Sequence, residues 1–294
     1  MLAALLALSG PPFSSAALLP PPRVIGPAPT HGCVELRIAV SDHLEVSLFE
    51  ADLGTQNALV DEALDEATKA GSAAEDPYGA VLWPAAQVVA IALVAALEST
   101  PRPCTVLELG AGTGLCSIAA AACGANTIAT DYRDAPLELL RSAAQHQAER
   151  LGSAVVATRL FDITDASESL PESDAPLIVC AADLLYMKST SVALAARCVE
   201  ALRRPNTVAV LVGDLGRPGR PAFLEALVSQ GIREESARFE AVEGYGAPTA
   251  RHELISSARP RADDDAVAAA PLRASVGLMR LTAADLRWEH ETSS

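Results

Sequence analysis

The sequence predicts an α/β fold, an open and doubly wound sheet of mostly parallel strands flanked by helices, with a small β/α extension on its N-terminal side. Three observations carry that expectation. Short, unbroken apolar runs such as "TVLELG" and "NTIATD" recur after Cys104, as in strands buried on both faces. A helical pattern follows each of these two after a short connection, the alternation that builds parallel sheets. Half of the 294 residues are hydrophobic but only 4% are aromatic, a mix that suits a helix-covered sheet better than an aromatic-rich sandwich.

Residues 1–30 are biased towards Ala, Leu, Pro and Ser. Their first apolar run is too short to span a bilayer, and they lack the early basic residues of a signal or transit sequence. They read as a disordered extension, or else as a targeting segment. Residues 31–100 read as strands and helices that pack on the core. Cys33–Phe49 alternate in the manner of paired strands. "LVDEALDEATKAG" is a short acidic helix ending at Gly71. "DPYGAVLWP" is turn-rich, and "AAQVVAIALVAALEST" is a helix apolar almost all round, hence well buried.

Residues 101–294 read as the core. "TVLELG" and "NTIATD" are the first two strands, followed by the helices "GLCSIAAAACG" and "APLELLRSAAQHQAERLG". "AVVATRLFD" and "PLIVCAAD" are the third and fourth strands. "SVALAARCVEALRR" is a helix, "NTVAVLVGD" the fifth strand, and "PAFLEALVSQG" a helix closed by Gly231. In the tail, "EESARFEAV", "RHELISS" and "ASVGLMRLT" are strand candidates, and "RPRADDDAVAAAP" reads as an exposed loop. Right-handed crossovers place the strand tips and their loops on one edge.

The formal net charge is -15, without the Lys/Arg cluster that a phosphate-binding surface needs. Nucleic acid is therefore not expected as a substrate, and an acidic surface suits a basic protein segment. The six cysteines form no CxxC pair and several sit in apolar runs. They read as reduced, buried small hydrophobes rather than as disulfides or a zinc site. No other stretch is apolar and long enough for a transmembrane helix. A soluble, monomeric, cytoplasmic protein is expected, or a mitochondrial or plastid one if residues 1–30 are a targeting segment.

In "ELGAGTG", Gly110, Gly112 and Gly114 follow the first strand and open a helix. Glycine there allows a tight turn and a close backbone approach to a ligand. The spacing is G-x-G-x-G, not the G-x-G-x-x-G of dinucleotide sites, and there is no Gly-Lys-Ser/Thr of a phosphate-binding loop. Glu108 beside the turn repels a pyrophosphate and welcomes an ammonium. Asp131, at the next strand tip, is placed to accept both ribose hydroxyls. An ammonium, a ribose and no phosphate together describe S-adenosylmethionine.

This E-x-G-x-G-x-G pattern resembles motif I of the class I, seven-β-strand methyltransferases, whose fold is a Rossmann-like sheet. Two further motifs resemble one branch, the protein lysine methyltransferases of the methyltransferase-like 16-type group: "DPYGAVLWPAAQVVAIAL" upstream and "AADLLY" at the end of the fourth strand. The resemblance implies S-adenosylmethionine as cofactor and a protein lysine as acceptor. It implies that Trp83 faces the methionine end of the cofactor or the acceptor channel, that Asp162 meets the adenine with Phe161 near its ring, and that Ala182 touches the cofactor. It assigns Asp183 and Tyr186 of D-x-x-Y to the acceptor site. "LVGDLGRPGRPAF" resembles a stretch of the flavoprotein-directed relatives, but Leu215 stands where they carry proline. Asp214 and Arg217 there form either a substrate mouth or a loop salt bridge.

Methyl transfer is an in-line displacement and needs a neutral amine, whereas lysine has a reference pKa of about 10.4. Desolvation lowers that value, while a nearby carboxylate opposes the loss of the proton. Asp183 is therefore expected to orient the amine first and to act as base second, with Tyr186 forming a channel wall. No metal is required. Three alternatives stay open: a non-catalytic cofactor-binding subunit that regulates a partner, a small-molecule methyltransferase on the same fold, and a nicotinamide-dependent oxidoreductase, which the glycine spacing disfavours.

Overall fold

The computed structural model describes residues 19–71, 78–245 and 273–287. Two sheets are present among the described residues. Strands β1 (Arg23–Pro27), β2 (Cys33–Ser41) and β3 (Leu44–Ala51) form an antiparallel sheet in that order. Strand β1 lies inside residues 1–30, which the sequence reading assigned to an extension. Four of its five residues are exposed and it contains Gly26 and Pro27, so no apolar alternation betrays it. The β2–β3 pairing agrees with the expectation, with Ile38 opposite Val46 and Leu36 opposite Leu48. These four side chains are fully buried in the core.

Helix α1 (Leu53–Ala70) starts where the Asp52 carboxylate accepts the Thr55 N–H at 2.8 Å, and it ends at Gly71 with φ 63°. A short 3-10 turn (Tyr78–Ala80) leads to α2 (Pro84–Glu98), which has proline in its first turn and Trp83 as N-cap. As its apolar circumference requires, α2 is buried on most sides, between the large sheet, the β2–β3 hairpin and α3. Burying a side chain such as Leu93 contributes about 1.5–3 kcal/mol.

The large sheet is built from β4 (Thr105–Leu109), β5 (Asn126–Asp131), β6 (Val156–Leu160), β7 (Leu177–Ala182), β8 (Thr207–Asp214), β9 (Glu240–Tyr245) and β10 (Arg273–Leu281). Its order is β6-β5-β4-β7-β8-β10-β9, and β10 pairs antiparallel with both neighbours. It is thus a seven-stranded, mostly parallel sheet of Rossmann-like type. The helices between strands are α3 (Leu115–Ala122), α4 (Asp134–His146), α5 (Ala148–Leu151), α6 (Lys188–Leu202) and α7 (Arg220–Ser229). The chain reverses direction across the sheet at β4, which has β5 on one side and β7 on the other. That is the switch point where open α/β sheets bind ligands, outside the carboxyl ends of the strands.

Two further sequence expectations need adjustment. The helix expected over residues 135–152 is broken at Gln147. The side chain of Gln147 donates to the Ser47 and Ala143 carbonyls and accepts the Ser47 N–H, tying the break to β3. The strand expected in "EESARFEAV" lies further on, at Glu240–Tyr245. "ASVGLMRLT" falls within β10 and its end, while "RHELISS" and "RPRADDDAVAAAP" lie outside the described residues. No helix among the described residues is long and apolar enough to cross a membrane.

Candidate active site

The glycine turn runs from the end of β4 into α3. Gly110, Gly112 and Gly114 have φ of 61°, 52° and 77°, the left-handed region that L side chains rarely adopt. Space forbids side chains as well: a Cβ on Gly112 would meet the Gly79 carbonyl oxygen at 3.0 Å, and one on Gly114 would meet Leu140 Cδ1 at 1.9 Å. The turn is fastened to β5. The Ala111 N–H donates to the Thr130 carbonyl at 2.7 Å, and the Gly112 N–H donates to Asp131 Oδ2 at 3.0 Å. Asp131 Oδ1 accepts the Arg133 N–H at 3.1 Å.

Glu108 is buried, and its Oε2 accepts both the Ser117 N–H at 2.8 Å and the Ser117 hydroxyl at 2.6 Å. Burial pushes its carboxyl above the usual range, with the Ser117 and Cys116 hydrogen bonds opposing. Glu108 lines the crevice as expected, and through Ser117 it also pins α3 to β4.

One cavity of about 700 Å³ lies over the strand tips. Its wall carries Trp83, Glu108, Gly110, Gly112, Asp131, Phe161, Asp162, Ala182, Asp183 and Tyr186. Of the predicted site residues only Gly114 is outside the wall; it starts α3 and packs on Leu140. Phe161 is buried, with the Arg197 guanidinium 5.1 Å from its ring centre. Exposed Asp162 follows β6, and its Oδ1 accepts from the Thr164 N–H and hydroxyl at 2.8 and 2.7 Å. Residues the sequence reading did not assign also line the cavity: Tyr132, Arg133, Pro136 and Met187, and Val60, Ala63 and Leu64 of α1. Their i, i+3, i+4 spacing on an acidic helix was the available signal.

Across β4 from Asp131, the D-x-x-Y segment leaves the tip of β7. Asp183 has φ 60°, a conformation that costs a non-glycine residue about 1–3 kcal/mol. Its N–H donates to the Gly213 carbonyl at 2.8 Å, and its carboxylate is buried. Arg217 donates to it in a two-pronged pair, Nε to Oδ1 at 2.9 Å and Nη2 to Oδ2. The same guanidinium lies 5.0 Å from the Trp83 ring centre. The Asp214 carboxylate instead accepts the Arg217 backbone N–H and pairs with Arg220. Arg217 is thus part of the cavity mouth through Asp183, and the loop ion pair is Asp214–Arg220.

The six cysteines are free thiols, five buried and Cys123 half-buried. Burial pushes the Cys198 thiol up to about 12. No group of His, Cys, Asp or Glu able to hold a metal ion occurs among the described residues.

A family model described as lysine methyltransferase matches residues 65–229. Comparison with curated protein sequences gives no match. Solved structures with similarity include a candidate RNA methyltransferase of Pyrococcus horikoshii, at 15% identity, covering 67% of this chain and 81% of that one with a TM-score of 0.44. Another is TrmN of Thermus thermophilus, at 16% identity, covering 65% of this chain but only 47% of that one, TM-score 0.38. A third is the magnesium protoporphyrin IX methyltransferase of Synechocystis PCC 6803 with bound SAM, at 13% identity, covering 66% and 77%, TM-score 0.39.

Proposed function

Since the chain belongs to the lysine methyltransferase family, we propose that this S-adenosylmethionine-dependent methyltransferase transfers methyl groups to a lysine side chain of a protein. The observation that carries the reading is the placement of Asp183 and Tyr186 on the same cavity wall as the glycine turn.

The residues present fit the cofactor. The cavity volume lies within the roughly 300–1,000 Å³ usual for small-molecule sites. Asp131 ends β5 with its carboxylate already shaped by two backbone N–H groups, and it accepts the ribose hydroxyls. Gly110 and Gly112 let the main chain approach the ligand, Gly114 and Glu108 hold the turn in shape, and Ala182 leaves room beside it. Phe161 and Asp162 border the adenine. When bound, S-adenosylmethionine supplies a methyl group activated by its sulfonium.

The acceptor end belongs to Trp83, Asp183 and Tyr186. Asp183 accepts an N–H from the lysine nitrogen and directs its lone pair, so positioning carries much of the rate. Tyr186 walls the channel and excludes water. Trp83 stands beside them with its ring under the Arg217 guanidinium, 5.0 Å from the ring centre, a cation–π pair worth about 0.5–2 kcal/mol. Residues 101–294 form the catalytic core in this reading, and residues 31–100 supply its cover, with α1 closing over the cavity through Val60, Ala63 and Leu64. A protein acceptor rather than RNA is favoured by the net charge of -15 and by a cavity wall whose only arginines among the described residues are Arg133 and Arg217.

Incubating the purified protein with a cell extract and radiolabelled S-adenosylmethionine tests this. A labelled protein band whose digest contains methyl-lysine is expected. Label confined to RNA or to small molecules would replace the acceptor, and no label at all would favour a regulatory subunit.

A further inference from the structure

We propose that Arg217 is a positioning residue that selects the protonation state of the acceptor: by neutralising Asp183 it makes the channel take an amine rather than an ammonium. The inference rests on the lysine reading above. It starts from an electrostatic conflict. A bare carboxylate beside the acceptor would hold the lysine as an ammonium, which has no lone pair for attack.

The structure resolves that conflict with a guanidinium. Arg217 meets the buried Asp183 carboxylate with both prongs of its fork, a geometry that arginine offers and lysine does not. The same guanidinium covers the Trp83 ring at 5.0 Å, so the aromatic face that would welcome a cation already carries one. An arriving ammonium meets a neutralised acid and a cation. A neutral amine still finds an acceptor, because a carboxylate has about four lone-pair sites and Arg217 uses two. The Leu215 N–H approaches at 3.4 Å, which is long for a hydrogen bond.

Among the described residues, the nearest carboxylate on the same loop, Asp214, does not compete for the Arg217 side chain. Asp214 accepts the Arg217 backbone N–H, but its carboxylate has its own guanidinium in Arg220, so it does not draw the Arg217 side chain away. Among the described residues, the other titratable or charged groups on the cavity wall are Glu108, Asp131, Tyr132, Arg133, Asp162 and Tyr186. Glu108 is tied to Ser117, Asp131 to the Gly112 and Arg133 N–H groups, and Asp162 to Thr164. None of these hydrogen bonds involves Arg217.

The test uses n-butylamine, a lysine side-chain mimic, titrated calorimetrically into the full chain saturated with S-adenosylhomocysteine, below and above the amine's own pKa of about 10.4. Wild-type affinity should rise with pH. Arg217→Gln should reverse the slope, with the ratio of ammonium to amine binding increased on the order of tenfold or more. Arg217→Lys keeps the charge only below the lysine's own pKa of about 10.4, and there it should bind the ammonium as weakly as wild type does. Unchanged melting and unchanged S-adenosylhomocysteine affinity establish that each variant is folded. Should Arg217→Gln fail to fold, the wild-type slope and the ammonium affinity of Arg217→Lys below the lysine's own pKa still decide. A wild-type preference for the ammonium, the same slope in wild type and Arg217→Gln, or no amine binding at either pH would overturn the proposal. Its failure is separable from failure of the lysine reading: an enzyme that labels lysine but binds the ammonium better loses only the role of Arg217.

Discussion

Replacing Asp183 by asparagine should lower kcat about 10²–10⁴-fold while S-adenosylmethionine affinity stays within about threefold, a difference under 1 kcal/mol. Asparagine keeps the shape but not the charge. The Arg217 fork loses its carboxylate, and the acceptor nitrogen loses the group that aims its lone pair. Both losses fall at the tip of β7, and β4 separates them from Asp131, which ends β5. Calorimetry for cofactor binding and single-turnover methyl transfer, measured on one preparation, separate the two quantities. A parallel fall in cofactor affinity would show that Asp183 belongs to the cofactor site and that the proposed division of roles is wrong.

Asp131→Ala should give the opposite pattern. Hydrogen bonds to an ionised group are worth about 1.5–3 kcal/mol each, so losing two ribose contacts should weaken S-adenosylmethionine binding on the order of 100-fold or more. Turnover at saturating cofactor should fall far less. Part of the loss arises in the protein itself, because the Gly112 and Arg133 N–H groups lose their acceptor. Asp131→Asn keeps an oxygen for one of them and should fall between wild type and alanine. Unchanged affinity in the calorimeter would remove Asp131 from the ribose site.

Much of this architecture was legible in the sequence where burial is two-sided. β4 is buried along its whole length, β7 and β8 nearly so, and their unbroken apolar runs announce them. The edges were harder. β1 is mostly exposed and β9 is exposed at half its positions, and their residues carry neither apolar runs nor clean alternation. The break at Gln147 depends on Ser47, a residue 100 positions away in the chain, and helical periodicity does not report such a partner.

The site divides in the same way. The glycine turn and Asp131 are legible because a local turn needs left-handed backbone and a strand tip presents the acid. The Asp183–Arg217 pair spans 34 residues and two strand tips. Spacing along the chain suggested Asp214 as the partner of Arg217, but the three-residue separation serves the Arg217 backbone N–H, while Arg220 takes the Asp214 carboxylate. Val60, Ala63 and Leu64 are harder to read as cavity residues because Asp61, Glu62, Asp65 and Glu66 alternate with them along α1.

A crystal structure with S-adenosylhomocysteine and a lysine peptide from the labelled protein would test most directly whether one cavity joins a cofactor end at Asp131 to an acceptor end at Asp183. The ribose hydroxyls should lie on the Asp131 carboxylate, and the lysine nitrogen should lie between Asp183 and Tyr186, facing the cofactor sulfur. A cofactor bound outside this cavity, or a lysine approaching from any other side of the sheet, would contradict the account.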